Sequence, residues 1–192
     1  MDQRQLISFL DRIEKLKCNT RHSWTSTGRR ESVAEHSFRL AFTAMLCRDE
    51  YPDADIDRVI RMCLVHDIGE AVLGDIPSFE KTDGDFGEED KAVNDLLSTL
   101  PDTYKSELSS LYSEFRDGVT AEAKLCRALD NLEAVLQHNE APLDTWLPLE
   151  YELQLRYGEE TAAFSEWTRG LKRELNSDTL KKTDTEGRKK DE

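Results

Sequence analysis

Residues 55–70 read DIDRVIRMCLVHDIGE, and this stretch decides the fold class. Its apolar side chains recur at helical spacing and predict one buried face: Ile56, Val59, Ile60, Cys63 and Leu64. His66 and Asp67 follow directly at the end of that apolar helix. A charged carboxylate is costly to bury unless something compensates it, and a divalent cation does so well. The stretch therefore predicts a buried helix that carries an imidazole and a carboxylate toward a metal.

Two further residues extend this candidate site. Ser32 and Glu35 have the spacing of a capping box, so a helix is predicted to begin there with His36 in its first turn. Asp130 lies in the middle of another apolar helix, predicted over residues 120–139. Both side chains thus sit on helices that are expected to contribute to the core.

Taken singly, these residues have ordinary structural explanations. His36 would serve as a polar residue at a helix start, and Asp130 as the partner of an arginine. His66 and Asp67 would form a helix-terminal pair. Together, the four supply two imidazoles and two carboxylates, a donor set that suits Mn, Fe, Co, Ni or Zn and leaves positions open for water and substrate. The order and spacing of the set predict one divalent transition metal much more specifically than any single member does.

Helical periodicity dominates the rest of the chain, and the alternation typical of strands is nearly absent. The pattern predicts a single all-α domain of about seven or eight helices over residues 1–175. In the helix after Ser32, the apolar spacing predicts a buried set: Phe38, Ala41, Phe42, Met45 and Leu46. Residues 77–90 are predicted to form a surface loop, and residues 150–175 one helix. From residue 176 to residue 192 the chain is highly charged and almost without apolar side chains, which predicts a disordered tail.

Composition excludes several classes of protein. The chain has 192 residues and a formal net charge of −14, and such an acidic surface disfavours nucleic-acid polymers. No apolar run reaches the length of a membrane span, and the first residues lack a signal-peptide core, so neither a membrane protein nor a secreted one is expected. Cys47, Cys63 and Cys126 lie in apolar helical patterns without metal-binding spacing, which predicts a reduced, cytoplasmic protein.

The charge is unevenly distributed. Residues 12–30 contain six Arg or Lys residues against one acidic residue, Glu14. A basic segment on an acidic protein suits a small anionic ligand better than a polymer. A solvated helix followed by a loop explains the same segment, and composition alone does not separate the two interpretations.

Several segments, taken together with the four candidate ligands, resemble a known family. They are RHSW (21–24), ESVAEHSFR (31–39), LVHDIGE (64–70), GDIP (74–77) and EAK (122–124) ahead of Leu129-Asp130. The combination resembles the metal signature of the HD-domain phosphohydrolase superfamily, and more closely its 5′-deoxynucleotidase branch. The resemblance covers roughly residues 5–140 and implies an all-α helical bundle with one divalent metal between the helices.

The resemblance also implies roles for individual residues. The implied metal ligands are His36, His66, Asp67 and Asp130. Glu70 would be the acid/base group and Asp75 a second active-site carboxylate, while Arg21 and Trp24 would contact the phosphate and the sugar of a nucleoside 5′-monophosphate. Because members of this branch commonly form dimers, a homodimer is expected. The connection at residues 25–30 is shorter than that of the branch, which leaves the roles of Arg29 and Arg30 open.

Two rival functions belong to other classes. An HD-domain oxygenase with two irons would need further ligands, and only His22 and His138 remain after the first site. A non-catalytic regulatory protein would bind a nucleotide without hydrolysing it. The intact set of candidate ligands and the presence of Glu70 favour hydrolysis over both.

Overall fold

The structure is a computed structural model that describes the backbone of residues 1–190. Side chains are described for the same range except residue 83 and residues 186–190. Within this range the chain forms eleven α-helices: α1 (Gln3–Ile13), α2 (Lys15–Cys18), α3 (Val33–Leu46), α4 (Ile56–Val65), α5 (Glu70–Leu73), α6 (Asp83–Leu97), α7 (Asp102–Asp117), α8 (Ala121–Glu140), α9 (Glu150–Arg156), α10 (Glu159–Ala162) and α11 (Glu166–Lys190). Eight of them span seven residues or more, and short 3₁₀ turns lie at Arg48–Glu50 and Leu143–Thr145. The prediction of an all-α fold is confirmed.

A short β-hairpin is the exception that the sequence did not predict. Strands β1 (Thr20–Trp24) and β2 (Arg30–Ser32) pair antiparallel, with Thr20 opposite Ser32 and Trp24 opposite Arg30. The turn between them is closed by Gly28 at φ +83°, a conformation that glycine adopts without steric cost. The strands are polar and too short to show a recognisable alternation, so their pairing depends on the turn and on the helices around them.

The core is built around α8, which packs against α3, α4, α7 and α11. Leu125 and Leu129 of α8 are fully buried with Leu40 of α3 and Met62 of α4. The helices begin where the sequence supplies caps. Ser32 and Glu35 form the predicted capping box, in which the Ser32 backbone N–H donates to the Glu35 carboxylate at 2.9 Å. This capping box fixes where α3 begins, and thereby places His36 in the first turn of the helix.

The predicted buried face of α3 is wrong for four of its five residues. Ala41 is buried, but Phe38, Phe42, Met45 and Leu46 are 67%, 49%, 51% and 74% exposed. We call these four residues the α3 apolar face. The helix instead turns a stripe of Val33, His36, Leu40 and Ala44 toward α4 and α8. The stripe has the spacing of one helix face, and it places His36 inward, which leaves the larger apolar side chains outside.

Three further predictions differ from the structure. The predicted loop over residues 77–90 contains the start of α6, since Thr82 and Asp85 form a capping box. The predicted helix over residues 150–175 is three helices, interrupted at Gly158, which adopts φ +78°. The segment from residue 176, predicted to be disordered, instead continues α11. Thr179 in this segment is buried, and its hydroxyl donates to Asn139 Oδ1 at 2.8 Å. These contacts depend on side chains far away in the sequence, which composition does not reveal.

No helix within residues 1–190 is long and apolar enough to cross a membrane.

Candidate active site

Four side chains from three parts of the fold converge at one point. His36 lies in the first turn of α3, His66 and Asp67 at the end of α4, and Asp130 in the middle of α8. His36 Nε2 lies 3.0 Å from Asp130 Oδ1 and 3.9 Å from Asp67 Oδ2. His66 Nε2 lies 3.0 Å from Asp67 Oδ2 and 3.6 Å from Asp130 Oδ1. We call these four residues the ligand cluster.

Both imidazoles present Nε2 to the cluster because Nδ1 is engaged elsewhere. His66 Nδ1 lies 2.9 Å from the backbone oxygen of Cys63, and since a carbonyl only accepts, Nδ1 must carry the proton. With Nδ1 protonated, a neutral ring would offer the lone pair of Nε2 to a cation, and this buried atom makes no well-aligned hydrogen bond to any described residue. His36 Nδ1 bonds the Glu133 carboxylate, which leaves its Nε2 for the cluster in the same way.

This donor set fits a divalent cation. Ligand atoms of His36, His66 and Asp67 lie within 4.8 Å of one another, and Asp130 reaches both imidazoles. Separations of 3.0–3.9 Å are those expected between ligand atoms that each lie about 2.1 Å from a common ion. Two imidazoles with two carboxylates suit a transition metal better than calcium or magnesium, which prefer oxygen ligands alone.

A pair of acidic residues that the sequence did not predict as part of the site lies behind the ligand cluster. Glu31 and Glu133 are both buried near His36. Arg39 Nε donates to Glu133 Oε1 at 2.6 Å, and Arg21 Nε lies 3.5 Å from Glu31 Oε2. Because Glu133 also bonds His36 Nδ1, its carboxylate orients that ring, while the two arginines balance the charge of the pair. Glu133 follows Asp130 by three residues on α8, and that spacing was the available signal.

Burial and repulsion shift the acidic groups around the cluster. Burial, followed by the repulsion of Asp67 and Asp75, raises the pKa of Glu70 to about 10. Its Oε2 is buried and has no partner among the described side chains. Burial also raises the pKa of Asp75, although Arg21 opposes the shift. Burial, then the repulsion of Glu133, raises the pKa of Glu31 to about 7. The wall beside the cluster therefore holds carboxyl groups that retain protons readily.

Arg21 brings a positive charge beside the cluster. Its Nη1 lies 3.7 Å from Asp67 Oδ2, and its side chain is mostly buried. Burial opposes the charge, but Asp67, Glu133 and other carboxylates outweigh it and raise the Arg21 pKa above its ordinary value. The guanidinium therefore stays charged beside the cluster, where it can offer a planar fork to an anion.

A cleft opens from the cluster, bounded by β1, the loop after α5, α8 and α9. Arg21, Glu70, Asp75 and Asp130 all line it, so four of the eight site residues predicted from the sequence lie on the cleft wall. His36 lies against Asp130 through its Nε2. His66 and Asp67 lie against each other, and His66 also lies against Asp130 at the inner end of the cleft.

Trp24 is the predicted site residue that the structure places differently. Its ring lies 5.2 Å from the Arg30 guanidinium carbon, and its backbone oxygen accepts a hydrogen bond from Gln137 Nε2 at 2.7 Å. Among the described residues it does not line the cleft, whereas its neighbours His22 and Ser23 do. Its predicted contact with a sugar remains a prediction.

Comparisons with known proteins agree with this arrangement. The family model described as HD domain matches residues 13–171. The 5′-deoxynucleotidase HDDC2 of Homo sapiens is 34% identical over 145 residues, which cover 71% of this chain and 68% of that protein. The 5′-deoxynucleotidase hdd1 of Schizosaccharomyces pombe is 29% identical over 140 residues, which cover 69% of this chain and 70% of that protein. A crystal structure of a predicted metal-dependent phosphohydrolase from Magnetospirillum magnetotacticum superposes with a TM-score of 0.78 at 30% identity, covering 93% of this chain and 95% of that one.

Proposed function

The chain belongs to the HD domain family, and from that membership we propose that it is a metal-dependent phosphomonoesterase that hydrolyses deoxynucleoside 5′-monophosphates to deoxynucleoside and phosphate. The observation that carries the proposal is the convergence of two Nε2 atoms and two carboxylates at the edge of a cleft that Arg21 also lines. The names of the relatives support the choice of substrate.

The reaction needs a bound phosphate, a water and a proton for the leaving oxygen. A divalent transition metal held by His36, His66, Asp67 and Asp130 would neutralise phosphate charge and make water more acidic. Its identity, among Co, Mn, Ni, Fe and Zn, is left to metal analysis.

The chain's own residues supply the remaining steps. Arg21 orients the phosphate oxygens through its fork of N–H groups. As water attacks phosphorus and the bond to the 5′ oxygen breaks, Glu70, whose raised pKa keeps its carboxyl group protonated, passes its proton to that oxygen. Asp75, on the same wall, takes up the proton that the water releases, since its raised pKa makes it a better base than an exposed aspartate.

Phosphate release from purified protein tests this function. The full chain, loaded in turn with each candidate metal, would be offered the four deoxynucleoside monophosphates, and released phosphate would be measured. We expect turnover with at least one metal and its loss after chelation. Failure of every loaded form to release phosphate from any of the four would contradict the proposal.

The sugar contact proposed for Trp24 rests on its strand. Trp24 lies three residues after Arg21 on β1, and Gln137 of α8 holds its backbone. Paired deoxyribonucleotide and ribonucleotide substrates, compared in wild type and Trp24→Ala, test the contact. We expect the variant to lose the preference for the deoxy form, whereas an unchanged preference would assign Trp24 to the packing of the hairpin against Arg30.

We also propose that the protein forms a homodimer through the α3 apolar face. The rings of Phe38 and Phe42 lie 6.2 Å apart on that face, and all four of its residues are exposed. Such contiguous apolar surface typically marks an interaction site. A second copy presents the same surface, and a two-fold arrangement would cover both. The cytoplasmic location expected from the cysteines remains a prediction.

A further inference from the structure

A second polar cluster lies in the cleft. His22 Nε2 lies 3.1 Å from Glu150 Oε1, and His138 Nε2 lies 3.4 Å from Glu150 Oε2. All three residues line the cleft, and His138 and Glu150 are 6% and 5% exposed. We call them the distal cluster. Neither the metal site nor the proton steps proposed above use it, although burying the ionisable side chains of His138 and Glu150 is costly.

Along α8, His138 of the distal cluster lies about one nucleotide's length from Asp130 of the ligand cluster. Asp130, Ala134 and His138 are spaced four residues apart on α8 and all line the cleft. Eight residues of α-helix advance about 12 Å, which is comparable with the distance from the phosphate to the far edge of the base in an extended nucleoside monophosphate. The small side chain of Ala134 leaves room between the two ends.

Strand β1 lies beside α8 at this cleft. Arg21 lies next to Asp67 of the ligand cluster, and the backbone oxygen of Trp24, three residues later, accepts from Gln137 of α8. His22 and Ser23, between them on the strand, both line the cleft, and the side chain of His22 reaches Glu150.

The distal cluster has unused hydrogen-bonding capacity. Nε2 of both histidines and Oγ of Ser23 are buried and lack a well-aligned hydrogen bond to any described residue. Glu150 Oε2 accepts from the backbone N–H of Leu147, while Oε1 faces His22 and, as a carboxylate oxygen, can accept a further hydrogen bond. Phe79, whose ring meets His22 edge-to-face at 5.5 Å, adds an aromatic surface on which a flat ring can stack.

We propose that the distal cluster, with Ser23 and Phe79, is a nucleobase subsite in which Glu150 accepts an N–H of the base. This inference rests on the proposed function, because it names how that same cleft selects a nucleotide over a simple sugar phosphate. Every nucleobase carries at least one N–H group, so a substrate with a base binds in this subsite more tightly than one without. Unpaired buried polar atoms in the free protein acquire partners when the base binds.

A comparison of substrates with and without a base tests the subsite. The readout is kcat/KM for each deoxynucleoside monophosphate divided by kcat/KM for deoxyribose 5-phosphate. We expect Glu150→Gln to lower this ratio about 10- to 100-fold, the value of one charge-assisted hydrogen bond. The matched control is Glu152→Gln, because Glu152 lies on the same helix but is 73% exposed, and its ratio should equal that of wild type.

A second variant covers the case in which Glu150→Gln does not fold. Ser23→Ala removes a buried hydroxyl without a partner, so the free energy of unfolding should stay equal or rise, while the ratio falls. The subsite is overturned if folded Glu150→Gln keeps the wild-type ratio, or, where that variant does not fold, if Ser23→Ala keeps it. Failure of the proposed function looks different, since wild type itself would then hydrolyse no nucleotide.

Discussion

The carboxylate of Glu133 accepts a hydrogen bond from His36 Nδ1 while Asp130, one turn earlier on α8, lies 3.0 Å from Nε2 of the same ring. One helix therefore contacts both nitrogens of an imidazole that belongs to α3. Glu133 determines which nitrogen carries the proton and how the ring is oriented, and Asp130 approaches the nitrogen that remains for a metal. The two contacts make the packing of α3 on α8 part of the site.

We expect Glu133→Gln to weaken metal affinity about 10- to 100-fold, because partners that orient a ligating histidine typically contribute that much. Titration of the metal-free protein with the activating metal, followed by calorimetry, measures the change. The matched control is Glu140→Gln, which removes another carboxylate partner of Arg39 but one that is exposed and does not touch His36. Equal affinities for the two variants would show that Glu133 only balances the charge of Arg39.

Asp67→Ala should abolish both bound metal and activity while leaving the helical content unchanged. The substitution removes an anionic donor from the ligand cluster, whereas the apolar core around Leu129 and Met62 is untouched. Elemental analysis, phosphate release and far-ultraviolet circular dichroism measure the three quantities. Asp57→Ala, at an exposed position in the first turn of α4, should behave as wild type. Full activity of a metal-free Asp67→Ala protein would contradict the ligand assignment.

Glu70→Gln should lower kcat about 10²- to 10⁴-fold with metal content unchanged, since general acid–base groups typically contribute this much. Gln preserves the size of the buried side chain but has no carboxyl proton to give. Single-turnover phosphate release, with elemental analysis of the same sample, separates the two effects. Exposed Glu88 provides the control variant, Glu88→Gln. Unchanged turnover in Glu70→Gln would make Glu70 a structural acid at the start of α5.

Phe42→Glu should convert the proposed dimer to a monomer without unfolding it, because Phe42 is half exposed and belongs to the α3 apolar face. Sedimentation velocity at equal protein concentrations measures the change. Leu180→Glu introduces the same charge at an equally exposed leucine of α11 and should leave the dimer intact. A monomeric wild type, or a dimeric Phe42→Glu protein, would exclude this interface.

Lys172 predicts a dependence of stability on pH. Burial lowers its pKa from 10.5 to about 8, although Glu159 opposes the shift. Below the folded pKa, the lysine is charged in both states and the folded state bears the cost of burying the charge. Between the two pKa values the unfolded state binds more protons, so stability rises with pH. The melting temperature of Lys172→Met, relative to wild type, should therefore decrease from about pH 7 to about pH 9.5.

The control for this measurement is Lys181→Met, at an exposed lysine of the same helix that pairs with Asp178. Its melting temperature relative to wild type should show no comparable slope. Lys172 Nζ also donates to the Gln154 backbone oxygen at 2.9 Å, and the loss of that bond shifts the Lys172→Met values by a constant rather than changing their slope. A flat difference for Lys172→Met would mean that the buried amine is solvated in the folded protein.

Much of the candidate site was predictable because its chemistry is encoded locally. His66 and Asp67 are neighbours at the end of an apolar helix, and His36 follows a capping box. The residues next to them in the sequence therefore predict where these side chains lie. The distal cluster was not predictable in this way. His22, His138 and Glu150 come from a polar strand, a helix and a helix start, and each alone resembles an ordinary surface residue.

By itself, the sequence determined that the chain is helical, where α3 and α8 begin and which four residues have the chemistry of metal ligands. Periodicity and caps act over a few residues, so they can be recognised without the fold. The tertiary structure alone decided which face of α3 is buried, that Glu133 meets His36 across 97 residues, and that β1 lies beside α8 at one cleft. Those outcomes depend on how whole helices rotate and pack to enclose the core, a balance of long-range burial that no single stretch of sequence specifies.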